Sequence, residues 1–183
     1  MLTATVSYKG QPMLYSLLSS HGLTYNNNMY TLELSNKAGG QLKVINSLEN
    51  NTIELQFPQE VAMEDCQNIY NIISHIADHT EGSVHDSNAH IGYDEAGNKV
   101  FIYHGFSVWT DFIDKAKHKS LEGQKVAVYY GDDIIGEGIL LTYKRKQVSS
   151  NKKEDVLSCT LVTTEGEQTF HGENMEIVPM TEW

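Results

Sequence analysis

The sequence predicts an α+β protein in two parts: an antiparallel sheet with about three helices over residues 1–118, then a small five-stranded SH3-like or Sm-like β-barrel over residues 119–183. The first part mixes short segments of period-two hydrophobicity with segments of helical period. The second part contains only short strand-like segments. The chain has 183 residues, which suits one medium-sized and one small domain because domains cluster near ~100–150 residues.

The first part begins with a predicted strand at residues 2–8, whose side chains alternate between apolar and polar. A short helix is predicted next, from four apolar residues that share one side at helical spacing: Met13, Leu14, Leu17 and Leu18. Three more strands are predicted at residues 29–34, 41–45 and 52–57, with a turn at 36–40. Neighbouring strands joined by short turns favour an antiparallel sheet.

The longest helix is predicted over residues 61–79, from apolar residues three or four positions apart: Ala62, Cys66, Ile69, Ile73 and Ile76. The polar stretch 81–88 reads as a connection to a hairpin with strands at 90–93 and 99–103. Ser107 is a predicted N-cap for a short third helix. Its expected apolar side consists of Val108, Trp109, Phe112, Ile113 and Ala116.

The second part is predicted to contain five strands, at residues 125–130, 134–143, 155–163, 168–171 and 175–178. Gly136 and Gly138 lie inside the second of these strands, where they suit a sharp bend. Residues 144–154 are predicted to form a polar hairpin tip. Short strands with tight turns and no helix between them are typical of a small barrel.

Charge and composition exclude several classes of protein. The chain carries 13 basic and 24 acidic residues, a net charge of −11, and Arg145 is its single arginine. A negative net charge disfavours binding to nucleic acid and to anionic membranes. The near absence of arginine also removes the bidentate contacts that usually bind phosphate. The N-terminal residues lack the pattern of a secretory signal, and no apolar run is long enough to cross a bilayer. Cys66 and Cys159 fall at apolar positions and predict buried free thiols, so we expect a cytoplasmic protein.

Three stretches carry a resemblance to a known family. They are GQPMLYSLLSSHGLTY at residues 10–25, LKVIN followed by TIELQFP within 42–58, and HIADHTEGSVHD at 75–86. In this order they resemble the cytoplasmic C-terminal domain of the bacterial division protein ZipA, and the helix after Ser107 would match that domain's last helix. The resemblance covers residues 1–118 and implies helices packed on one face of a sheet. It further implies that the open face binds the C-terminal tail of FtsZ.

Strand alternation assigns residues to that open face. Residues such as Ile53, Leu55 and Phe57 point toward the helices, so their neighbours point away from them. The predicted peptide-binding residues are Met29, Thr31, Glu33, Lys43, Ile45, Thr52, Glu54 and Gln56. This set is more polar than a groove for an apolar tail.

A histidine series is the main alternative site: His75, His79, His85 and His90. His75 and His79 lie one helical turn apart, a spacing that can chelate a divalent metal. Ile76 stands where an H-E-x-x-H protease places its general base, which excludes that mechanism. The favoured interpretation is that these histidines face solvent or form hydrogen bonds with neighbouring groups. No cofactor is predicted.

These observations predict a non-enzymatic adaptor that binds a protein or a short peptide, with the FtsZ tail as one candidate. One alternative is an acidic inhibitor or immunity-type protein that blocks a basic target. A metal-binding protein built on the histidine series is a second alternative. Neither nucleic acid nor direct membrane insertion is expected.

Overall fold

A computed structural model describes residues 1–10, 12–35, 40–147, 155–173 and 175–180. The chain divides into two compact units, Met1–Thr110 and Asp111–Trp183. The division falls inside the third helix, Phe106–Leu121, which also contains the boundary predicted at residues 118 and 119. Most of the turn predicted at 36–40 and most of the hairpin tip predicted at 144–154 lie outside the described residues.

The N-terminal unit is built on a six-stranded antiparallel sheet in the order β2-β3-β4-β5-β1-β6. Its strands are β1 Leu2–Ser7, β2 Thr24–Asn26, β3 Met29–Leu34, β4 Gly40–Ser47, β5 Thr52–Phe57 and β6 Ser83–Asn88. The described residues form the helices α1 Leu14–Ser20, α2 Met63–Thr80 and α3 Phe106–Leu121. A separate hairpin pairs β7 His90–Tyr93 with β8 Lys99–Phe101. The predicted α+β class with three helices and antiparallel sheets is therefore confirmed.

The core of this unit lies between one face of the sheet and helices α1 and α2. Alternate strand residues are buried there, and they include Ala4, Val6, Leu42, Val44, Ile53, Leu55 and Phe57. The helices contribute Leu14 and Leu18 from α1, and Cys66, Ile69, Ile73 and Ile76 from α2. The inward positions predicted for these strands are confirmed, although Tyr30 and Leu32 of β3 are only half-buried. Four of the five positions predicted for the apolar side of α2 are also buried, whereas Ala62 is exposed and precedes the helix.

Predictions for two elements in this unit were wrong. Residues 83–88 form an edge strand, β6, rather than a connection. An edge strand needs main-chain bonds on one side only, so the polar sequence there can pair with β1 without an apolar face. The expected apolar side of α3 is only partly buried: Trp109 packs against the core, whereas Val108 is 62% exposed and Ile113 is 36% exposed. The helix begins at Phe106, so Ser107 lies inside it and is not its N-cap. The buried residues of the helix are Phe106, His118 and Leu121.

The C-terminal unit contains one five-stranded antiparallel sheet in the order β12-β11-β10-β9-β13. The strands are β9 Lys125–Tyr130, β10 Asp133–Gln147, β11 Asp155–Thr163, β12 Gly166–Glu173 and β13 Met175–Pro179. All five predicted strands are present, and their inner face is lined by residues that include Val126, Val128, Leu140, Cys159 and Leu161. Among the described residues β12 and β13 do not pair, so the sheet is open and a closed barrel is not confirmed.

Candidate functional site: the open face of the six-stranded sheet

The face of the six-stranded sheet opposite α1 and α2 carries the predicted peptide-binding residues. The pairing register arranges its side chains in rows across the strands. One row runs Thr24, Thr31, Lys43, Gln56 and Thr3. The next contains Ile45, Glu54, Thr5 and His85, and a third contains Ser47, Thr52, Ser7 and Ser83. All eight predicted residues lie on this face; Glu33 is exposed and the other seven are half-buried.

The charges on this face are few and are mostly engaged by neighbouring amides. The Gln41 side chain donates a hydrogen bond to Glu33, and the Gln56 side chain donates one to Glu54. Lys43 lies between these two pairs and forms no ion pair with any residue that the structure describes. It also lines a shallow depression with Glu33, Gln41 and other residues at the same end of the sheet. Because Glu33 and Glu54 oppose a single lysine, the face is close to electrically neutral.

Short hydroxyl side chains dominate the remainder of the face. The third row consists entirely of serine and threonine, and Thr24 and Thr31 approach each other at 3.3 Å between hydroxyl oxygens. Hydroxyls both donate and accept hydrogen bonds, and short side chains lose little conformational entropy on binding. This surface is therefore rich in hydrogen-bonding groups, with Met29 and Ile45 as its apolar side chains.

Sequence reasoning missed the part of the face that β1 and β6 supply. Thr3, Thr5 and Ser7 alternate with buried residues of β1, so the period-two pattern contained this information. The contribution of β6 carried no such signal, because its residues Ser83 and His85 lie in a stretch without alternating hydrophobicity.

The structure does not assemble the predicted histidine series. The ring of His75 contacts His21, a residue outside the series, with 2.7 Å between His21 Nε2 and His75 Nδ1. His79 is exposed, His85 lies on the open face, and His90 bonds the carbonyl oxygen of Gly92 at 2.7 Å. Within the described part of the chain, no group of three or more His, Cys, Asp or Glu side chains is arranged to hold a metal ion.

Two buried carboxylates were also missed, and both accept hydrogen bonds from residues outside the strands and helices. Asp65, in the first turn of α2, accepts hydrogen bonds from the Ser35 main-chain nitrogen at 3.0 Å and hydroxyl at 2.9 Å. Asp86 in β6 accepts bonds from the main-chain nitrogens of Tyr103 and His104 and from His104 Nδ1, at 2.8, 2.9 and 2.7 Å. Such long-range pairs leave no spacing signal in the sequence.

Both cysteines are buried and free, as predicted. Burial, reinforced by the neighbouring Asp65 carboxylate, raises the pKa of the Cys66 thiol to about 11. Burial likewise raises the pKa of the Cys159 thiol to about 11. Thiols with such values hold almost no thiolate at neutral pH, so neither cysteine is suited to act as a nucleophile.

No helix in the described ranges is long and apolar enough to span a bilayer. Comparison of the chain with protein-family models, curated proteins and solved structures finds no match.

Proposed function

We propose that the protein is a non-enzymatic binding module that holds a short peptide or a protein surface on the open face of its six-stranded sheet. One observation carries the proposal. Helices α1 and α2 pack on a single face of the sheet, and the described part of the N-terminal unit leaves the opposite face accessible. Strands position side chains more precisely than loops do, which suits a recognition surface.

The composition of the face suggests the character of its ligand. Hydroxyls in the rows around Thr5 and Thr52 would bond polar or main-chain groups, whereas Ile45 and Met29 would contact apolar side chains. The resemblance to the ZipA family makes the C-terminal tail of FtsZ the first ligand to test. A more polar peptide than an apolar tail would match this face better, because buried polar groups must be paired on binding.

We infer that the C-terminal unit is a relative of small SH3-like barrels and supplies a second contact or fixes the orientation of the module. Its five antiparallel strands around one apolar core support this inference. Two buried free thiols fit a reducing compartment, so we infer a cytoplasmic protein.

The proposal is tested by titrating a synthetic FtsZ C-terminal peptide onto isotope-labelled protein and following the amide signals by NMR. We expect shifts confined to β4, β5 and their neighbours, with Lys43 and Glu54 among the responding residues. Ile45→Arg should weaken binding by at least about tenfold, since a long charged side chain would occupy the middle of the face. Val108→Arg is a matched control, because Val108 is already 62% exposed on α3.

A peptide array extends the test to ligands other than FtsZ. One informative outcome is an array peptide that shifts the amide signals of the same strands when the FtsZ peptide does not. That result would support the proposed binding function and show that the partner is a protein other than FtsZ. Shifts outside the sheet, or equal weakening by Ile45→Arg and Val108→Arg, would contradict the assignment of the face.

One further observation favours a second function. A net charge of −11 would attract a basic protein, so an acidic inhibitor or immunity-type protein is the alternative proposal. The dependence of binding on salt separates the two functions.

A further inference from the structure

A second candidate site is the pair of histidines that meet between α1 and α2. His21 follows the last turn of α1, where its main-chain nitrogen donates a hydrogen bond to the Leu18 carbonyl oxygen at 3.2 Å. His75 lies within α2. The ring centroids are 4.8 Å apart and the ring planes are inclined by 53°. Two rigid main-chain segments therefore hold the rings in contact on the surface of the protein.

The facing nitrogens are separated by 2.7 Å, a hydrogen-bond distance. In the neutral pair one of these nitrogens carries the hydrogen and the other accepts it. When the donor ring moves its hydrogen to its other nitrogen, both facing nitrogens present lone pairs to the same region of space. Neither imidazole loses a proton overall in this tautomer change, so it proceeds at neutral pH.

We propose that His21 Nε2 and His75 Nδ1 form an open two-histidine site for a divalent transition metal, with water in the remaining coordination positions. A small outward rotation of the rings would admit the ion between the two nitrogens. Imidazole ligands suit Cu²⁺, Ni²⁺ and Zn²⁺, whereas Mg²⁺ and Ca²⁺ require oxygen ligands. The expected order of affinity places Cu²⁺ first, ahead of Ni²⁺ and Zn²⁺.

Imidazole binds a metal ion only through an unprotonated nitrogen, so protons compete with the ion for both rings. Binding should therefore weaken in acidic solution.

A bound ion would join α1 to α2, because its two protein ligands come from these separate elements. The ion binds the folded chain, since unfolding separates residues that lie 54 positions apart. Such a ligand stabilises the folded state by mass action. The thermal unfolding temperature should therefore rise on addition of Ni²⁺ or Zn²⁺ and stay unchanged with Mg²⁺.

The test uses the full chain without an affinity tag and titrates Ni²⁺, Zn²⁺ and Mg²⁺ by calorimetry and thermal unfolding. His21→Gln and His75→Gln should each weaken Ni²⁺ binding by more than about tenfold. His79→Gln is the matched control, since His79 lies one turn from His75 on the same helix and should leave binding unchanged.

Imidazole nitrogen NMR on the unmodified protein provides a readout that does not depend on the variants folding. Zn²⁺ should shift the signals of His21 Nε2 and His75 Nδ1 and leave those of His90 in place. Three outcomes would overturn the proposal. They are the absence of metal binding, unchanged metal binding in the double variant H21Q/H75Q, and a loss of affinity in His79→Gln equal to that in His75→Gln. None of these outcomes bears on peptide binding at the open face.

Discussion

Asp86 illustrates how one buried side chain can hold a segment that has little secondary structure of its own. The residue is 4% exposed and its carboxylate accepts three hydrogen bonds from residues 103 and 104. These bonds fix the chain between β8 and α3 against the edge strand β6. Removing the carboxylate leaves two main-chain nitrogens without an acceptor, and leaving such groups unsatisfied is costly.

We therefore predict that Asp86→Ala lowers the free energy of unfolding by roughly 1–3 kcal/mol, measured by urea denaturation. Asp94→Ala is the control. Asp94 also accepts three hydrogen bonds, from Ala96 and Asn98, but it lies in an exposed turn where water can replace them. Equal losses in the two variants would show that burial of Asp86 contributes nothing.

At the scale of single elements, β10 shifts its pairing register where a glycine lies against an aromatic ring. The register between β10 and β9 shifts between Ile134 and Gly136. A Cβ atom added to Gly136 would overlap the ring of Phe170 from β12. The sequence predicted a glycine-dependent bend in this strand, and the ring that excludes a side chain comes from a strand 34 positions later.

Gly136→Ala should therefore destabilise the C-terminal unit by about 1–3 kcal/mol, the usual cost of forcing extra atoms into a packed contact. The measurement is chemical denaturation followed by circular dichroism. The double variant Gly136→Ala with Phe170→Leu should recover part of the loss, because the smaller side chain frees the space. If the double variant is the sum of the two single losses, steric overlap is not the cause.

Elements were predictable from the sequence where burial imposes a period. Strands β3, β4 and β5, helix α2 and all five strands of the C-terminal unit have the positions that their hydrophobic spacing predicted. Strand β6 was not predicted, because it is stabilised by main-chain pairing along one edge and has no alternating hydrophobicity. Helix α3 was predicted, but its start was not: the helix begins at Phe106, one residue before the predicted N-cap, and the Phe106 ring stacks on Tyr70 of α2 at 4.7 Å.

The candidate sites were likewise predictable in part. Alternation placed Met29, Lys43, Glu54 and the other predicted residues on one face, because a strand that buries one side must expose the other. The contact of His21 with His75 joins positions 54 apart, and neither position carries a local pattern that names its partner. Tertiary packing alone brings such pairs together.

At the scale of the whole molecule, the net charge and the open face favour different kinds of partner. The chain carries −11, and a field of that size attracts basic proteins over distances up to the Debye length, about 10 Å at 0.1 M salt. The open face is nearly neutral, with the Glu33 and Glu54 carboxylates hydrogen-bonded to glutamine side chains. Contacts made there would be short-ranged hydrogen bonds and apolar contacts.

We therefore predict that the affinity of a peptide bound on the open face changes by less than about threefold between 0.05 and 0.5 M salt. The measurement is a series of calorimetric titrations with one peptide at constant pH. Lys43→Gln removes the single cation among the predicted face residues. It should still leave the salt dependence small, because one surface charge contributes little when salt screens it. A steep fall in affinity with salt would instead show that the acidic field dominates binding, as an inhibitor of a basic target requires.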